Sequence, residues 1–219
     1  MKKIKGIIPK YAIVPVGLVV IFNFSAYYLS KIIIEDRVKY DFSIPLDDMI
    51  PLVTPFILFY ILAYAQWALG YIILARQSRE VCAKVASANI IAKTLCFIIF
   101  ITVPTALVRP EVTGNGLFDI LTRFIYSADT PVNLFPSIHC LESYAIMRFT
   151  LGQKNLPRYY KIITVVFSLL VFASVVFTKQ HIVVDIPGGI LMLEIGIILS
   201  KLTGLYKVFD RKPKQSNLK

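Results

Sequence analysis

The sequence predicts an all-α integral membrane protein, a bundle of six transmembrane helices with both termini in the cytoplasm. The first observation is composition: 57% of the 219 residues are hydrophobic and 17% are charged, whereas a soluble domain is usually less than half apolar. The second is the mean hydropathy of +0.69. The third is that the basic residues lie in short tracts between apolar runs, as membrane topology requires. We therefore expect residues 1–219 to form a single transmembrane domain.

Six apolar stretches are long enough to cross a bilayer, which takes about 20 mostly apolar residues for about 30 Å of hydrocarbon. The predicted spans are residues 11–34, 52–75, 89–108, 136–153, 161–180 and 182–204. The first is too long for a signal-peptide core, so we expect it to be retained. The fourth contains His139, Glu142 and Arg148, which predicts that it faces the bundle interior, where Glu142 and Arg148 make polar contacts.

The basic residues set the predicted orientation. Fifteen of them lie in the N-terminal segment, after the second and fourth spans and in the C-terminal tail, and six lie on the other side. The positive-inside rule then places both termini in the cytoplasm and loops 35–50 and 109–135 outside. Loop 109–135 contains a stretch with helical apolar spacing that is expected to lie along the membrane surface. The polar tail, about residues 207–219, is predicted to be disordered from Arg211 onward.

The formal net charge of +11 raises the question of partners. A basic protein often binds nucleic acid, but here the positive charge is not gathered on one patch, so we predict no nucleic-acid partner. Anionic lipid headgroups of the surrounding bilayer are the expected partners of these tracts. The short basic N-terminus is typical of a protein of a bacterial inner membrane.

The chain has only two histidines, and both are predicted at the outer ends of helices. These are His139 and His181, and Asp185 follows His181 by four residues. A carboxylate on the same helix face fixes the proton on one imidazole nitrogen and leaves the other as a nucleophile or base. The second imidazole can then donate a proton to a leaving group. Arg109, predicted at the outer end of the third span, adds a guanidinium that suits phosphate oxygens.

Two further side chains complete the predicted phosphate site. Ser137, with the backbone N–H groups at the start of the fourth span, offers neutral donors, and we expect a cap or a phosphate donor here rather than a nucleophile. Lys179 offers a second cation, and an interfacial anchor is an equally good interpretation of it. The aromatic residues of the second predicted span are expected to be packing or interfacial residues, with contact to a lipid chain as the alternative; they are Phe59, Tyr60, Tyr64 and Trp67.

Three blocks, in this order, resemble the type 2 phosphatidic acid phosphatase (PAP2) superfamily. The blocks of that family are K-x6-R-P, P-S-G-H and S-R-x5-H-x3-D. This chain has T-x6-R-P at residues 102–110, P-S-I-H at 136–139 and S-V-x5-H-x3-D at 174–185. The stretches DTPVNLFPSIHC and TKQHIVVD look more like the branch that includes inositol phosphorylceramide synthases and sphingomyelin synthases. The resemblance covers about residues 100–190.

The resemblance implies a catalytic role for each matched residue. His181 would attack phosphorus and become a phosphohistidine, Asp185 would orient it, and His139 would protonate the leaving oxygen and then activate the acceptor. The resemblance implies no metal ion and no other cofactor. The predicted topology places this site on the outer face of the membrane.

Three positions depart from the family pattern. Thr102 replaces the lysine of the first block, Val175 replaces the arginine of the third block, and Ile138 replaces the glycine of the second. Two of the family's phosphate-binding cations are therefore absent. A substrate with less phosphate charge, such as a phosphodiester, would need fewer cations.

These observations predict a membrane-embedded lipid phosphatase that acts on a phospholipid or prenyl phosphate with water as the acceptor. The first alternative is a phosphotransferase that moves a phospho-headgroup to an alcohol. The second is a non-catalytic membrane protein that binds phospholipid, because the missing cations would also be consistent with lost catalysis.

Overall fold

The computed structural model describes residues 6–211, and helices build the fold. No β-strand occurs within that range, only two isolated bridges. The α-helices within it are α1 (Ile13–Ile33), α2 (Pro45–Met49), α3 (Ile57–Gln77), α4 (Arg79–Thr102), α5 (Leu117–Ala128), α6 (Ile138–Leu151), α7 (Arg158–Phe177), α8 (Asp185–Thr203) and α9 (Tyr206–Asp210). The prediction of an all-α protein is confirmed.

Five of these helices are long and apolar enough to cross a membrane: α1, α3, α4, α7 and α8, with α1 and α3 each extended by a preceding 3-10 turn. The structure thus supports five of the six predicted spans. The fourth predicted span contains α6, which has only 14 residues, fewer than the roughly 20 that cross a bilayer unaided. The side chain of Ser137 caps the start of α6, so Pro136 and Ser137 of the predicted span lie outside the helix.

The third predicted span was wrong in its position along the chain. α4 covers residues 79–102 rather than 89–108. Its start is set by Ser78, whose side chain accepts a hydrogen bond from a backbone N–H of the first turn. Pro104 lies just beyond its end and has no N–H with which to continue a helix. Arg109 therefore lies in the loop after α4, and not at the outer end of a helix as predicted.

Two other predictions concern the segments around the bundle. The helical stretch expected in loop 109–135 is confirmed as α5. The polar tail, residues 207–219, lies only partly within the described range, where α9 continues to Asp210, just before the residue at which the predicted disorder begins. Residues 212–219 lie outside the described residues, as do Lys2, Lys3 and Lys5, on which the predicted orientation also depends.

α4 occupies the centre of the bundle, packed between α1 and α8. α6 lies against α3, α7 and α8. Gly189 of α8 approaches the backbone of α6 closely: a methyl group there would collide with the carbonyl oxygen of Ser137 and lie 2.9 Å from the backbone nitrogen of Leu141. The starts of α6 and α8 are therefore in direct backbone contact, and this contact brings the segments of the two histidines together.

A buried ion pair lies inside the bundle, between Lys93 of α4 and Glu142 of α6, and Tyr71 of α3 donates a hydrogen bond to the same carboxylate. The prediction that Glu142 makes polar contacts inside the bundle is confirmed. The same prediction was wrong for Arg148, which pairs with Glu194 at 3.1 Å with half of its side chain exposed. The reason is its place one and a half turns further along α6, on the outer face.

Candidate active site

The two histidines line one cavity of about 210 Å³. Its walls come from α1, α3, the loop that carries Arg109, the segment after α5, the start of α6 and the turn before α8. Thr105 holds two of these segments together, since its hydroxyl oxygen accepts backbone hydrogen bonds from Leu134 and Phe135 at 2.9 and 3.0 Å. Separate stretches of chain thus converge on one site.

His181 is held through one ring nitrogen. Its Nδ1 lies 2.9 Å from the Asp185 carboxylate and 3.0 Å from the carbonyl oxygen of Leu134. Both partners are acceptors, so Nδ1 carries the proton and Nε2 of the neutral ring has a free lone pair. The Ile182 N–H donates to the same Asp185 oxygen at 3.1 Å and fixes the carboxylate.

The predicted contact between His181 and Asp185 is confirmed. The two residues do not, however, lie on the same face of one helix. α8 begins at Asp185, so His181 lies in the preceding turn. That turn is closed by the N–H groups of Gln180 and His181, which both donate to the Val175 carbonyl at 2.9 Å. The chain therefore presents the imidazole to the carboxylate from outside the helix.

His139 lies among aromatic rings. Its imidazole stacks on Tyr60 with a centroid distance of 4.1 Å, and Trp67 and Tyr64 approach at 5.0 and 5.5 Å. Its Nε2 is buried and has no hydrogen-bond partner within residues 6–211. The ring is thus held by packing, with one nitrogen unoccupied. The imidazoles of His139 and His181 are 6.1 Å apart, so a reacting group between them can contact both rings.

Arg109 also lines the cavity. Its guanidinium donates to the carbonyl oxygen of Asp129 and to the side-chain oxygen of Gln180, both at 2.5 Å, and lies 4.7 Å from the ring centre of Tyr126. Burial lowers the pKa of Arg109, and the neighbouring Asp129 carboxylate opposes that shift. Its Nε is buried and unpaired within the described part of the chain, so one donor of this cation is available.

Asp129 places a carboxylate in the same cavity. It accepts hydrogen bonds from the hydroxyls of Tyr27 and Tyr60, the latter at 3.4 Å. Arg109 and Asp129 both line the cavity. The cavity wall thus carries one positive and one negative side chain from this pair.

Ser137 and Lys179 lie outside the cavity lining. Ser137 is fully buried, and its Oγ caps α6 by accepting the Cys140 N–H at 3.3 Å. The Lys179 ammonium donates to the carbonyl oxygen of Asp47 at 2.7 Å. The structure therefore brings together His139, His181, Asp185 and Arg109, and it uses Ser137 and Lys179 to fix the neighbouring segments.

The lysine and the arginine of the PAP2 pattern have no counterpart at the matching positions of this chain. Thr102 ends α4 with its hydroxyl bonded to the Ile98 carbonyl at 2.7 Å, and its side chain is exposed. Val175 is completely buried in the core of the bundle. Neither lines the cavity.

Sequence reasoning missed Asp129, Gln180 and the role of the α3 aromatics. Tyr60, Tyr64 and Trp67 are spaced i, i+4 and i+7, which places them on one helix face, and this spacing was available in the sequence. Gln180 directly precedes His181. No comparable signal pointed to Asp129, whose hydrogen-bond partners are distant in the chain.

Potential metal ligands do not gather in the described part of the chain, where no group of three or more His, Cys, Asp or Glu side chains has suitable geometry.

Comparisons with protein-family models, with curated proteins and with solved structures give no significant match to this chain.

Proposed function

We propose that this chain is a membrane-embedded, metal-independent lipid phosphatase that uses His181 as its nucleophile. The observation that carries the proposal is the hydrogen bonding of His181: Nδ1 is held by Asp185 and by the Leu134 carbonyl. This arrangement leaves Nε2 as the basic nitrogen, in a cavity that also holds His139 and Arg109. The sequence resemblance to the PAP2 superfamily supports the same assignment.

The reaction would proceed in two displacements. In the first, Nε2 of His181 attacks phosphorus, the bond from phosphorus to the lipid oxygen breaks, and protonated His139 gives its proton to that oxygen. The product is a phosphohistidine and the lipid alcohol. In the second, neutral His139 takes a proton from water, the water oxygen attacks phosphorus, and the N–P bond breaks to restore His181 and release phosphate.

Asp185 and Arg109 would stabilise charge in both steps. The Asp185 carboxylate faces the Nδ1 proton and offsets the positive charge that develops on the imidazole as Nε2 forms its bond. The free Nε–H of Arg109 can donate to a phosphoryl oxygen, and such donors contribute most in a site from which water is excluded.

In the membrane, we propose that α6 forms a sixth, short span within the bundle, with both termini in the cytoplasm and the site at the outer face of a bacterial inner membrane. The distribution of basic residues supports this orientation. Phe24, Tyr28 and Tyr64 line the cavity yet are 50–57% exposed, which supports sideways access for a phospholipid or prenyl phosphate between α1 and α3.

Phosphate release by the purified protein in detergent tests the proposal. The substrates are phosphatidic acid, phosphatidylglycerol phosphate and a prenyl pyrophosphate, each with EDTA present. We expect release that His181→Ala and His139→Ala abolish and that Asn155→Ala retains, because Asn155 is exposed in the turn at the far end of α6. Normal release by a folded His181→Ala protein would refute the mechanism.

A phosphotransferase is the second candidate, because the balanced charges of Arg109 and Asp129 suit a phosphate with a single negative charge better than a dianion. In that case an alcohol would replace water in the second displacement. Mass spectrometry of lipids after incubation with mixed donors and acceptors separates the two: free phosphate supports hydrolysis, and a new phosphodiester lipid supports transfer.

A further inference from the structure

Gln180 is a buried polar residue of the cavity with no role in the proposed mechanism. It is 1% exposed and lines the cavity beside His181. Its side-chain oxygen accepts a hydrogen bond from Arg109 at 2.5 Å. Its Nε2 is buried without a partner within residues 6–211. Leaving a buried donor unpaired costs about 1–3 kcal/mol, so this amide is in an unfavourable state unless a ligand accepts from it.

Arg109 fixes which end of the amide is free. A guanidinium has donors only, so the group that faces it must be the Gln180 oxygen. The NH2 group is then turned away from Arg109 as a pair of donors. The donor-only chemistry of the guanidinium thus determines the orientation of the amide.

The unpaired polar atoms of the structure concentrate around this cavity. Of the nine buried side-chain atoms without a partner in the described residues, five belong to residues that line it. Two of these five, Nε of Arg109 and Nε2 of Gln180, can only donate. The two side chains are joined to each other by a hydrogen bond, so both free donors belong to one hydrogen-bonded unit that lines the cavity.

We propose that Gln180 is a direct ligand of a phosphoryl oxygen, paired with Arg109. The inference rests on the proposed function and deepens it, because it names a residue that binds the reacting group. With Thr102 and Val175 in place of two cations, Arg109 is the one Lys or Arg side chain among the described residues that line the cavity, and an amide adds a donor without adding charge. A neutral donor beside one cation favours a phosphoryl group with little charge, and it does so without the desolvation cost of a second buried cation.

Two roles for Gln180 must be separated: a ligand of the phosphoryl group, and a support that only positions Arg109. Gln180→Glu is the first test, because the glutamate retains an oxygen for Arg109 and replaces the NH2 group with a second oxygen. Its negative charge also repels an anion, so Gln180→Met is made both in the wild-type protein and in Arg109→Ala. A residue that only positions Arg109 has no effect once Arg109 is removed, whereas a direct ligand still has one.

The test measures binding of orthovanadate, whose five-coordinate form resembles the phosphoryl-transfer transition state. Trp67 is the only tryptophan of the chain, lines the cavity and lies 5.0 Å from the His139 ring. Its fluorescence therefore reports occupancy without any turnover. The matched control is Gln153→Glu, the same chemical change at the far end of α6, where the amide donates to the Phe149 carbonyl at 3.1 Å.

We expect Gln180→Glu to weaken vanadate binding by at least about 10- to 100-fold, the range for a lost hydrogen bond to a charged group. Gln153→Glu should bind like the wild-type protein. Unchanged affinity in Gln180→Glu would overturn the proposal. Gln180→Met should weaken vanadate binding both in the wild-type protein and in Arg109→Ala. Wild-type affinity, or an effect that disappears in Arg109→Ala, overturns the proposal.

Failure of this inference can be told apart from failure of the proposed function. Histidine-dependent phosphate release by the wild-type protein, together with full vanadate affinity in Gln180→Glu, overturns the role of Gln180 alone. Neither vanadate binding nor phosphate release in the wild-type protein overturns both.

Discussion

Replacing Glu142 with leucine would remove one half of the ion pair at the centre of the bundle. The side chains of Lys93 and Glu142 are 1% and 3% exposed. In Glu142→Leu, the Lys93 ammonium keeps a single acceptor, the Val19 carbonyl oxygen at 3.0 Å. Tyr71 loses its acceptor as well. The converse change, Lys93→Met, leaves the carboxylate with only uncharged donors.

The expected magnitudes follow from this geometry. Breaking a buried pair by removing one partner costs about 3–5 kcal/mol, so each single variant should lose that much stability. The double variant has no buried charge. It leaves Tyr71 without its acceptor, at a cost of about 1–3 kcal/mol. Its loss should therefore be smaller than that of either single variant, with a coupling energy of at least about 3 kcal/mol.

The assay is reversible unfolding in mixed micelles as the fraction of denaturing detergent rises, followed by circular dichroism. A double-mutant cycle gives the coupling energy directly. Losses under about 1 kcal/mol in both single variants, or a double variant that loses the sum of the single losses, would refute the reasoning that these groups face each other as buried charges.

Three further predictions concern the site and its surroundings. Asp185→Asn should lower turnover by about 10³- to 10⁴-fold with unfolding unchanged, because an amide NH2 facing Nδ1 of His181 moves the ring proton to Nε2; wild-type turnover would contradict this. Tyr60→Leu removes the ring stacked on His139 and should lower kcat by about 3- to 10-fold, with vanadate affinity as the control for an intact site. Hydrogen bonds from a threonine hydroxyl and a backbone N–H hold the pKa of Asp119 below its ordinary value of 3.8. The ionised Asp119 therefore stabilises α5 fully above pH 3.8, and this stabilisation is lost as the pH falls through the lower pKa of the folded state. Hydrogen exchange in α5 should be faster in Asp119→Asn than in the wild-type protein at pH 6. The two proteins should exchange alike at a pH below the folded-state pKa.

Much of the candidate site could be predicted because it depends on local order in the chain. His139 and His181 were expected at helix starts, and the structure places them at the start of α6 and in the turn before α8. Their convergence follows from topology, since two helices that begin on the same side of a bundle bring their first residues to one end. The neighbouring Asp185 is also a local feature, four residues from its partner.

The remainder depends on contacts between distant segments, which hydropathy does not encode. The Tyr27 hydroxyl contacts Asp129, 102 residues away in the chain, and Arg109 contacts Gln180, 71 residues away.

The error in the predicted position of the third span has another cause. Charged residues at the start of α4 lower the local hydropathy, yet they do not prevent a helix from extending beyond the apolar stretch when a cap such as Ser78 fixes its start.

The contact at Gly189 makes the distance between His139 and Asp185 depend on the backbone. Small residues allow membrane helices to approach until their main chains touch, and here they touch within a turn of His139 and Asp185. Any side chain at Gly189 would act as a wedge that spreads α6 and α8 at the end where the imidazoles face each other. Displacements of about 1 Å can cost about 100-fold in rate, so under the proposed mechanism a side chain at this position would lower the rate even where the bundle itself still assembles.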